Sequence, residues 1–269
     1  MAVNLVVCGA AGRMGRLIVS LIRDTEGATL VGAVEADGHT ALGRDAGELA
    51  GGGPIGITIT ADYASVAKPD TVTLDFTIAP VALAHLRTAS ETGAAIVVGT
   101  TGFSGEESRE AQALATKTRT IIAANMSVGV NVLLKLVADA ARLLGTGFDG
   151  EISELHHRMK VDAPSGTAIA LARAVANATG RELERSQVSA RQGMTGKRRD
   201  DEIGVMALRG GDVVGDHTVY FLGQGERLEL NHRAQSRECL ARGAVRAGLW
   251  LAEQRKPGLY TMADVLGMV

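Results

Sequence analysis

The opening residues restrict the fold more than any other stretch. Val3 to Val7 is apolar and largely β-branched; Gly9, Gly12 and Gly15 follow at three-residue spacing, and Leu17, Ile18, Leu21 and Ile22 then recur at helical spacing. Strand, glycine turn, helix is how a parallel α/β sheet begins, since parallel neighbours need a crossover between them. The spacing is GxxGxxG and not the commoner GxGxxG, yet the physics is shared. Glycines let backbone approach an anion, and the unpaired N–H groups of a helix start attract it. Alone, the pattern is equally compatible with plain strand-to-helix packing.

The segments that follow repeat the unit. Ala28 to Val34 reads as a second strand and ends at Glu35, twenty positions beyond Gly15, where a carboxylate can accept the hydroxyls of an adenine ribose. Without the upstream glycines Glu35 would be an ordinary strand-end acid. Ala36, Asp37 and Gly38 offer no arginine to a 2′-phosphate and Asp37 repels one, so NAD(H) is favoured over NADP(H). Ile55 to Thr60, Thr71 to Thr77, Ala94 to Thr100 and Thr120 to Asn125 read as buried strands, Pro80 to Thr92 and Gly105 to Thr118 as helices. The alternation describes an α/β doubly wound parallel sheet, with Gly51 to Pro54 as a surface loop beside its third strand. Ligands of such sheets lie at the carboxyl ends of the strands, which singles out Gly99-Thr100-Thr101-Gly102 and Ala123-Ala124-Asn125-Met126.

The class changes after a long helical pattern, Ser127 to Leu144, that bridges two domains. Following a turn at Asp149-Gly150, Ile152 to His157 alternates as a strand and runs into a basic loop holding His156, His157, Arg158 and Lys160. Pro164 and Ser165 then start a helix that carries the apolar run from Ala168 toward Gly180. Amides of Gly166 and Thr167 at that start, beside so many cations, suit a carboxylate or phosphate. The bland alternative is a solvated turn, and a metal site is disfavoured because adjacent histidines cannot easily turn toward one ion. Ile203 to Leu208, Val213 to Leu222 and Arg227 to Asn231 form a meander of an antiparallel or mixed sheet, and the outer face around Val213 to Leu222 suits packing on another subunit. Lys197-Arg198-Arg199, followed by Asp200-Asp201-Glu202, reads as a mixed, solvated loop. A last helix from Ser236, with Trp250, stops at Lys256-Pro257-Gly258 and has no strand partner of its own.

Composition narrows the function. At 269 residues and 46% hydrophobic content the chain buries a core sufficient for two domains, and a net charge of −2 makes nucleic acid a poor partner. No run approaches about 20 apolar residues, so no membrane span is expected, and the start lacks the charged and long apolar regions of a leader. Two cysteines, Cys8 and Cys239, give no disulfide framework and fit a reducing cytoplasm.

Taken together, Gly9 to Gly15, Gly99 to Phe103, Asn125 to Asn131 and above all Glu151, Glu154, His156, Lys160, Asp162 and Pro164 to Ala168 resemble the 4-hydroxy-tetrahydrodipicolinate reductase family over nearly the whole chain. The resemblance implies a Rossmann-like domain (1–127 and 237–269), a substrate-binding and tetramerisation domain (128–236), and a homotetramer. It further implies hydride transfer from NADH or NADPH to a cyclic dicarboxylate, with loss of the 4-hydroxyl as water. By position, His156 and Lys160 match the family's proton-transfer residues, and His157, Gly166 and Thr167 its substrate-carboxylate site. Gly9, Ala10, Ala11, Gly12, Arg13, Met14, Glu35, Gly99, Thr100, Thr101, Ala123, Ala124, Asn125 and Met126 match its cofactor contacts. Three positions depart from the family's habit: Ala36 replaces an arginine, Met159 a histidine and Met126 an aromatic residue. The rival readings are another amino-acid-pathway dehydrogenase, which would leave the dipicolinate precursor unreduced, and a non-catalytic nicotinamide sensor, which would have no use for a proton donor such as Lys160 beside His156.

Overall fold

The computed structural model of the chain describes residues 2–268, which divide into two compact units: one formed by residues up to Val128 together with those from Glu238 onward, and one running from Gly129 to Arg237. In the first, β1 (Val3–Cys8), α1 (Arg13–Arg23), β2 (Ala28–Val34), α2 (Ala46–Leu49), β3 (Ile59–Thr60), α3 (Tyr63–Val66), β4 (Thr71–Asp75), α4 (Ala79–Thr92), β5 (Ala95–Val98), α5 (Gly105–Ala115) and β6 (Arg119–Ile122) succeed one another. The second holds most of α6 (Val128–Leu144), then β7 (Asp149–His156), α7 (Gly166–Ala178), α8 (Leu183–Ser186), β8 (Gln187–Val188), β9 (Ile203–Arg209), β10 (Gly215–Leu222) and β11 (Arg227–Ala234). The chain returns to the first unit with α9 (Glu238–Ala252), β12 (Gly258–Tyr260) and α10 (Met262–Leu266).

The first unit is a parallel sheet in the order β12-β6-β5-β4-β1-β2-β3, the doubly wound order that puts β1 and β4 at its middle. Leu5, Val6, Val7 and Cys8 are fully buried because β1 is covered on both faces, as its unbroken apolar run requires. Small residues on α9 explain how closely that helix lies on the sheet: a Cβ at Gly248 would stand 2.9 Å from Leu74 Cδ2, and one at Gly243 would overlap the Met126 carbonyl. Two expectations fail here. The strand read from Ile55 to Thr60 shrinks to Ile59–Thr60, because the Ile55 and Gly56 amides donate instead to the Asp45 carboxylate and Gly56 takes φ +78°. The tail does have a strand partner: Gly258–Tyr260 pairs in parallel with β6, a segment too short to show periodicity and preceded by Pro257.

In the second unit the sheet order is β11-β10-β7-β9-β8. It is mixed, but it is not a meander. Strand β7 inserts between β9, to which it is parallel, and β10, to which it is antiparallel. Centrality suits β7, whose alternate residues Gly150, Ile152, Glu154 and His156 are all buried. Strand β7 also begins at Asp149, where a turn was expected. One face of the sheet packs Ile152, Val205, Val219 and Phe221 against Leu171 and Val175 of α7 and Leu133 and Val137 of α6. Each such fully buried aliphatic side chain contributes about 1.5–3 kcal/mol. Arg198 is no solvated loop residue: it donates to Asp149 (2.7 Å) and Glu151 (3.0 Å), and Arg191 grips the same Glu151 at 2.8 and 2.9 Å. These guanidiniums neutralise a half-buried carboxylate that would otherwise be expensive to dehydrate. Among the described residues, no helix is long and apolar enough to cross a membrane.

Candidate active site

In the first unit the glycine loop sits at the carboxyl end of β1. Gly9 takes φ +75°, and the Gly9 and Ala10 amides both donate to the Val34 carbonyl at 3.0 Å, which ties the loop to the end of β2. A Cβ at Gly15 would overlap the Gly9 carbonyl and reach 2.7 Å from Ala10 Cα, so the helix closes on its own turn only with glycine there. Gly12 caps α1 without a side-chain bond, leaving first-turn amides unpaired within the helix. Gly9, Gly12, Glu35, Asp37, Thr77 and His85 are among the residues lining a cavity of about 510 Å³. Glu35 reaches the loop as well as the cavity: Oε2 accepts the Ala11 amide at 2.9 Å and Oε1 the Ala36 amide at 3.1 Å.

The other expected cofactor residues divide. Arg13 and Thr101 are exposed, as is Ala124; Met14, Gly99, Ala123 and Asn125 are half-buried. Asn125 Oδ1 accepts the Ser127 amide at 2.9 Å, and the Ala123 amide donates to the Val98 carbonyl at 3.0 Å. Ala10 (2% exposed) and Met126 (1%) are packed into the core, Met126 beneath Gly243. Thr100 is also buried, its hydroxyl donating to the Thr77 carbonyl at 3.2 Å and to Asp75 at 3.3 Å.

Asp75 was not singled out by its sequence. Fully buried at the end of β4, its carboxylate also accepts the Thr77 amide (3.0 Å) and hydroxyl (2.7 Å) and lies 2.6 Å from His85 Nδ1. Cys8 completes a trio with ligand atoms within 4.8 Å of one another. Its thiol is pushed up by burial, with Asp75 and Glu35 adding to the effect, and Asp75 is already saturated by donors; the trio reads as a packed hydrogen-bonded support of the strand end. The signal was available: an aspartate closing an otherwise buried strand needs donors nearby.

In the second unit His156 ends β7 facing inward. Its Nδ1 lies 2.6 Å from Glu154 Oε2, and that carboxylate, with a side chain 0% exposed, also takes both terminal nitrogens of Arg209 at 2.8 and 2.9 Å. Burial alone would raise Glu154, yet Arg209, His156 and the Ser165 amide outweigh it and hold it below the usual carboxylate range. His156 is lowered, by burial first and then by Lys160 and Arg209, against the pull of Glu154. His217 stacks edge-on to it at 5.1 Å between centroids and is driven down to about 4 by burial, so it is neutral near pH 7. The loop beyond is a tight turn: the Lys160 amide donates to the His157 carbonyl at 3.1 Å, and Lys160 Nζ contacts Asp162 at 2.8 and 2.9 Å.

Helix α7 starts as expected. Ser165 caps it by accepting the Ala168 amide at 3.2 Å, its hydroxyl also pairs with His217 Nε2 at 3.0 Å, and the exposed Gly166 and half-buried Thr167 form the first turn. His157 is held by its amide on the Val213 carbonyl at 2.7 Å, and its Nε2 lies 3.5 Å from the Arg237 guanidinium. Sequence reasoning missed Arg237, Arg209 and His217, which lie 52 or more residues from their partners and carry no local motif. The structure thus gathers His156, His157, Lys160, Gly166 and Thr167 around one strand end, with two additional cations.

Residues 3–126 match the family pattern described as dihydrodipicolinate reductase, N-terminus, and residues 129–266 the pattern described as dihydrodipicolinate reductase, C-terminus. A 4-hydroxy-tetrahydrodipicolinate reductase of Syntrophobacter fumaroxidans is 53% identical over 99% of both chains, and one of Geotalea uraniireducens 50% identical over the same share. Among solved structures, a dipicolinate-bound dihydrodipicolinate reductase from Paenisporosarcina sp. TG-14 superposes over 100% of both chains with a TM-score of 0.75 at 22% identity, a likeness of fold.

Proposed function

The chain belongs to the dihydrodipicolinate reductase family, and from that premise we propose that it reduces 4-hydroxy-tetrahydrodipicolinate to tetrahydrodipicolinate with a nicotinamide cofactor and loss of water, in the diaminopimelate route to lysine. The observation that carries the reading is the strand end of β7, where an ionisable imidazole, an ammonium and a helix start converge. A hydride arriving at an unsaturated ring leaves negative charge behind, and a donor must quench it. His156 and Lys160 are the donors. His157, Gly166 and Thr167, with Arg237 beside His157, hold the ring's carboxylates through amides and positive charge.

The glycine loop fits a dinucleotide: glycine at Gly9 and Gly15 is enforced by geometry, and the adjoining cavity is lined by Glu35. Bound nicotinamide supplies the hydride. The loop from Gly9 to Met14 holds the pyrophosphate, Glu35 the adenine ribose, and the turns at Gly99 to Thr101 and Ala123 to Asn125 the remainder. Ala36 and Asp37, both exposed, leave a 2′-phosphate without a cation, which favours NADH over NADPH. Leu208 (53% exposed) and Leu222 (37%) support a homotetramer built on the outer face of the second unit's sheet. We place the enzyme in the cytoplasm, where reduced thiols such as buried Cys8 persist. Supplying enzymatically made precursor and following NADH against NADPH oxidation tests the reading. Stoichiometric NADH consumption is the expected result, and no turnover with either cofactor overturns it.

A further inference from the structure

The Glu154 carboxylate joins three parts of the site that are distant in sequence. Oε2 faces His156 Nδ1 (2.6 Å) and one terminal nitrogen of Arg209 (2.8 Å); Oε1 accepts the other (2.9 Å) and the amide of Ser165 (3.0 Å). The same guanidinium donates to the Asp162 carbonyl at 2.6 Å, two residues from Lys160. One excluded carboxylate therefore reaches the imidazole, the loop that carries the ammonium, and the N-cap of α7.

Chemistry fixes the direction of the shortest contact. A two-pronged guanidinium keeps Glu154 ionised, so it can only accept, and His156 Nδ1 must carry the proton. Neutral His156 then has its lone pair on Nε2, which makes no hydrogen bond among the described residues and lies beside Gly215, where a Cβ would stand 2.9 Å from it. The charged groups facing this ring are Glu154 from its own strand, Arg209 from β9 and Lys160 from the loop, and the titratable but neutral His217 faces it from β10. Glu154 is the one anion among them.

We propose that Glu154 is a positioning residue: it sets the tautomer of His156, sustains its protonated form, and through Ser165 and Arg209 fixes that ring relative to the helix start and the Lys160 loop. The proposal rests on the reductase reading, and it is tested with the full-length protein carrying Glu154→Gln. A glutamine offers one oxygen where four N–H groups of three residues now donate, and turns its own amide toward one of those residues. The least costly relief is for His156 to surrender its Nδ1 proton, accept from the amide, and move the proton to Nε2.

Long-range proton–nitrogen correlation spectra, with His156 assigned through a His156→Gln variant, read that switch directly. Wild type is expected as the Nδ1–H form and E154Q as the Nε2–H form, with the imidazole titrating at lower pH. Turnover should fall about 100-fold, the contribution typical of a placed proton donor, while the NADH dissociation constant stays within about twofold. An unchanged tautomer and titration in folded E154Q, or turnover within about threefold of wild type, overturns the proposal. If E154Q does not fold, the wild-type ring decides: Nε2–H there overturns it and Nδ1–H supports it. The reductase reading fails separately, through a wild-type enzyme that leaves the precursor unreduced whatever its tautomer.

Discussion

Removing the Glu35 carboxylate should have two consequences that a ribose-binding role alone does not give. Glu35 Oε2 holds the amide of Ala11, a residue 8% exposed, and Oε1 holds the amide of Ala36. In Glu35→Ala the Ala11 donor loses the one acceptor it has among the described residues, in a place water reaches poorly. A hydrogen bond to a charged acceptor is worth about 1.5–3 kcal/mol. Because Glu35 is half-buried and its second contact is exposed, solvent screening brings the value to the bottom of that range or just below it, about 1–2 kcal/mol. For a body of this size that lowers the midpoint of thermal unfolding by about 2–6 °C. Loss of the ribose contacts should separately raise the NADH dissociation constant about 10- to 100-fold. Glu35→Gln divides the two effects: its carbonyl oxygen can still take the Ala11 amide, so melting stays within about 2 °C of wild type, whereas NADH still binds more weakly. Circular-dichroism melting and fluorescence titration of NADH measure both. If E35A melts like wild type, or E35Q loses as much stability as E35A, the tether between Glu35 and the glycine loop has been misjudged.

Other substitutions separate the two units. Lys160→Ala should reduce turnover by about 100-fold or more and leave NADH affinity unchanged, which stopped-flow binding beside steady-state rates will show. Ala36→Arg should raise the NADPH-to-NADH ratio of kcat/KM about tenfold, through one charge-assisted contact to a 2′-phosphate. Stability should fall on acidification in a defined order. His217, depressed to about 4, stays neutral in the folded protein while the unfolded chain takes up a proton below about pH 6.5. Glu154 and Glu151, both lowered, add stability that is present above their unfolded values and lost as pH falls through the folded ones. Melting midpoints should therefore decline from pH 7 toward pH 4, and His217→Asn should flatten the upper part of that decline; a flat profile in the wild type would count against the buried neutral ring.

Much of the parallel sheet was legible because its strands are buried on both faces and write uninterrupted apolar runs. Ala28–Val34 was bounded to the residue, and Ser165 was identifiable as a cap by its position before an apolar helix. What escaped notice was short or non-local. Three residues of β12 carry no period, and their pairing with Arg119–Ile121 is set by tertiary packing of the preceding helix. The insertion of β7 between β9 and β10 is likewise a property of registry: Gly150 aligns with both Ile203 and Phe221, and nothing in any one strand states that it will have two neighbours of opposite sense. Arg198 looked solvated because its near neighbours are acidic, whereas its true partners are Asp149 and Glu151.

The side chains gathered at the end of β7 were legible in the sequence and their partners were not, for one physical reason. Histidine, lysine and a glycine-led helix start advertise themselves locally, whereas a buried carboxylate has partners distant in sequence. Each unit places one at a strand end: Asp75 holds His85, Thr77 and Thr100, and Glu154 holds His156, Ser165 and Arg209, each with its histidine at 2.6 Å. The two differ in a single respect that bears on chemistry. Hydroxyls and an amide join His85 around Asp75, whereas Glu154 has a guanidinium, so that buried carboxylate is paired with a full positive charge as well as with its histidine. That pairing explains why a strand interior tolerates an acid at position 154 at all.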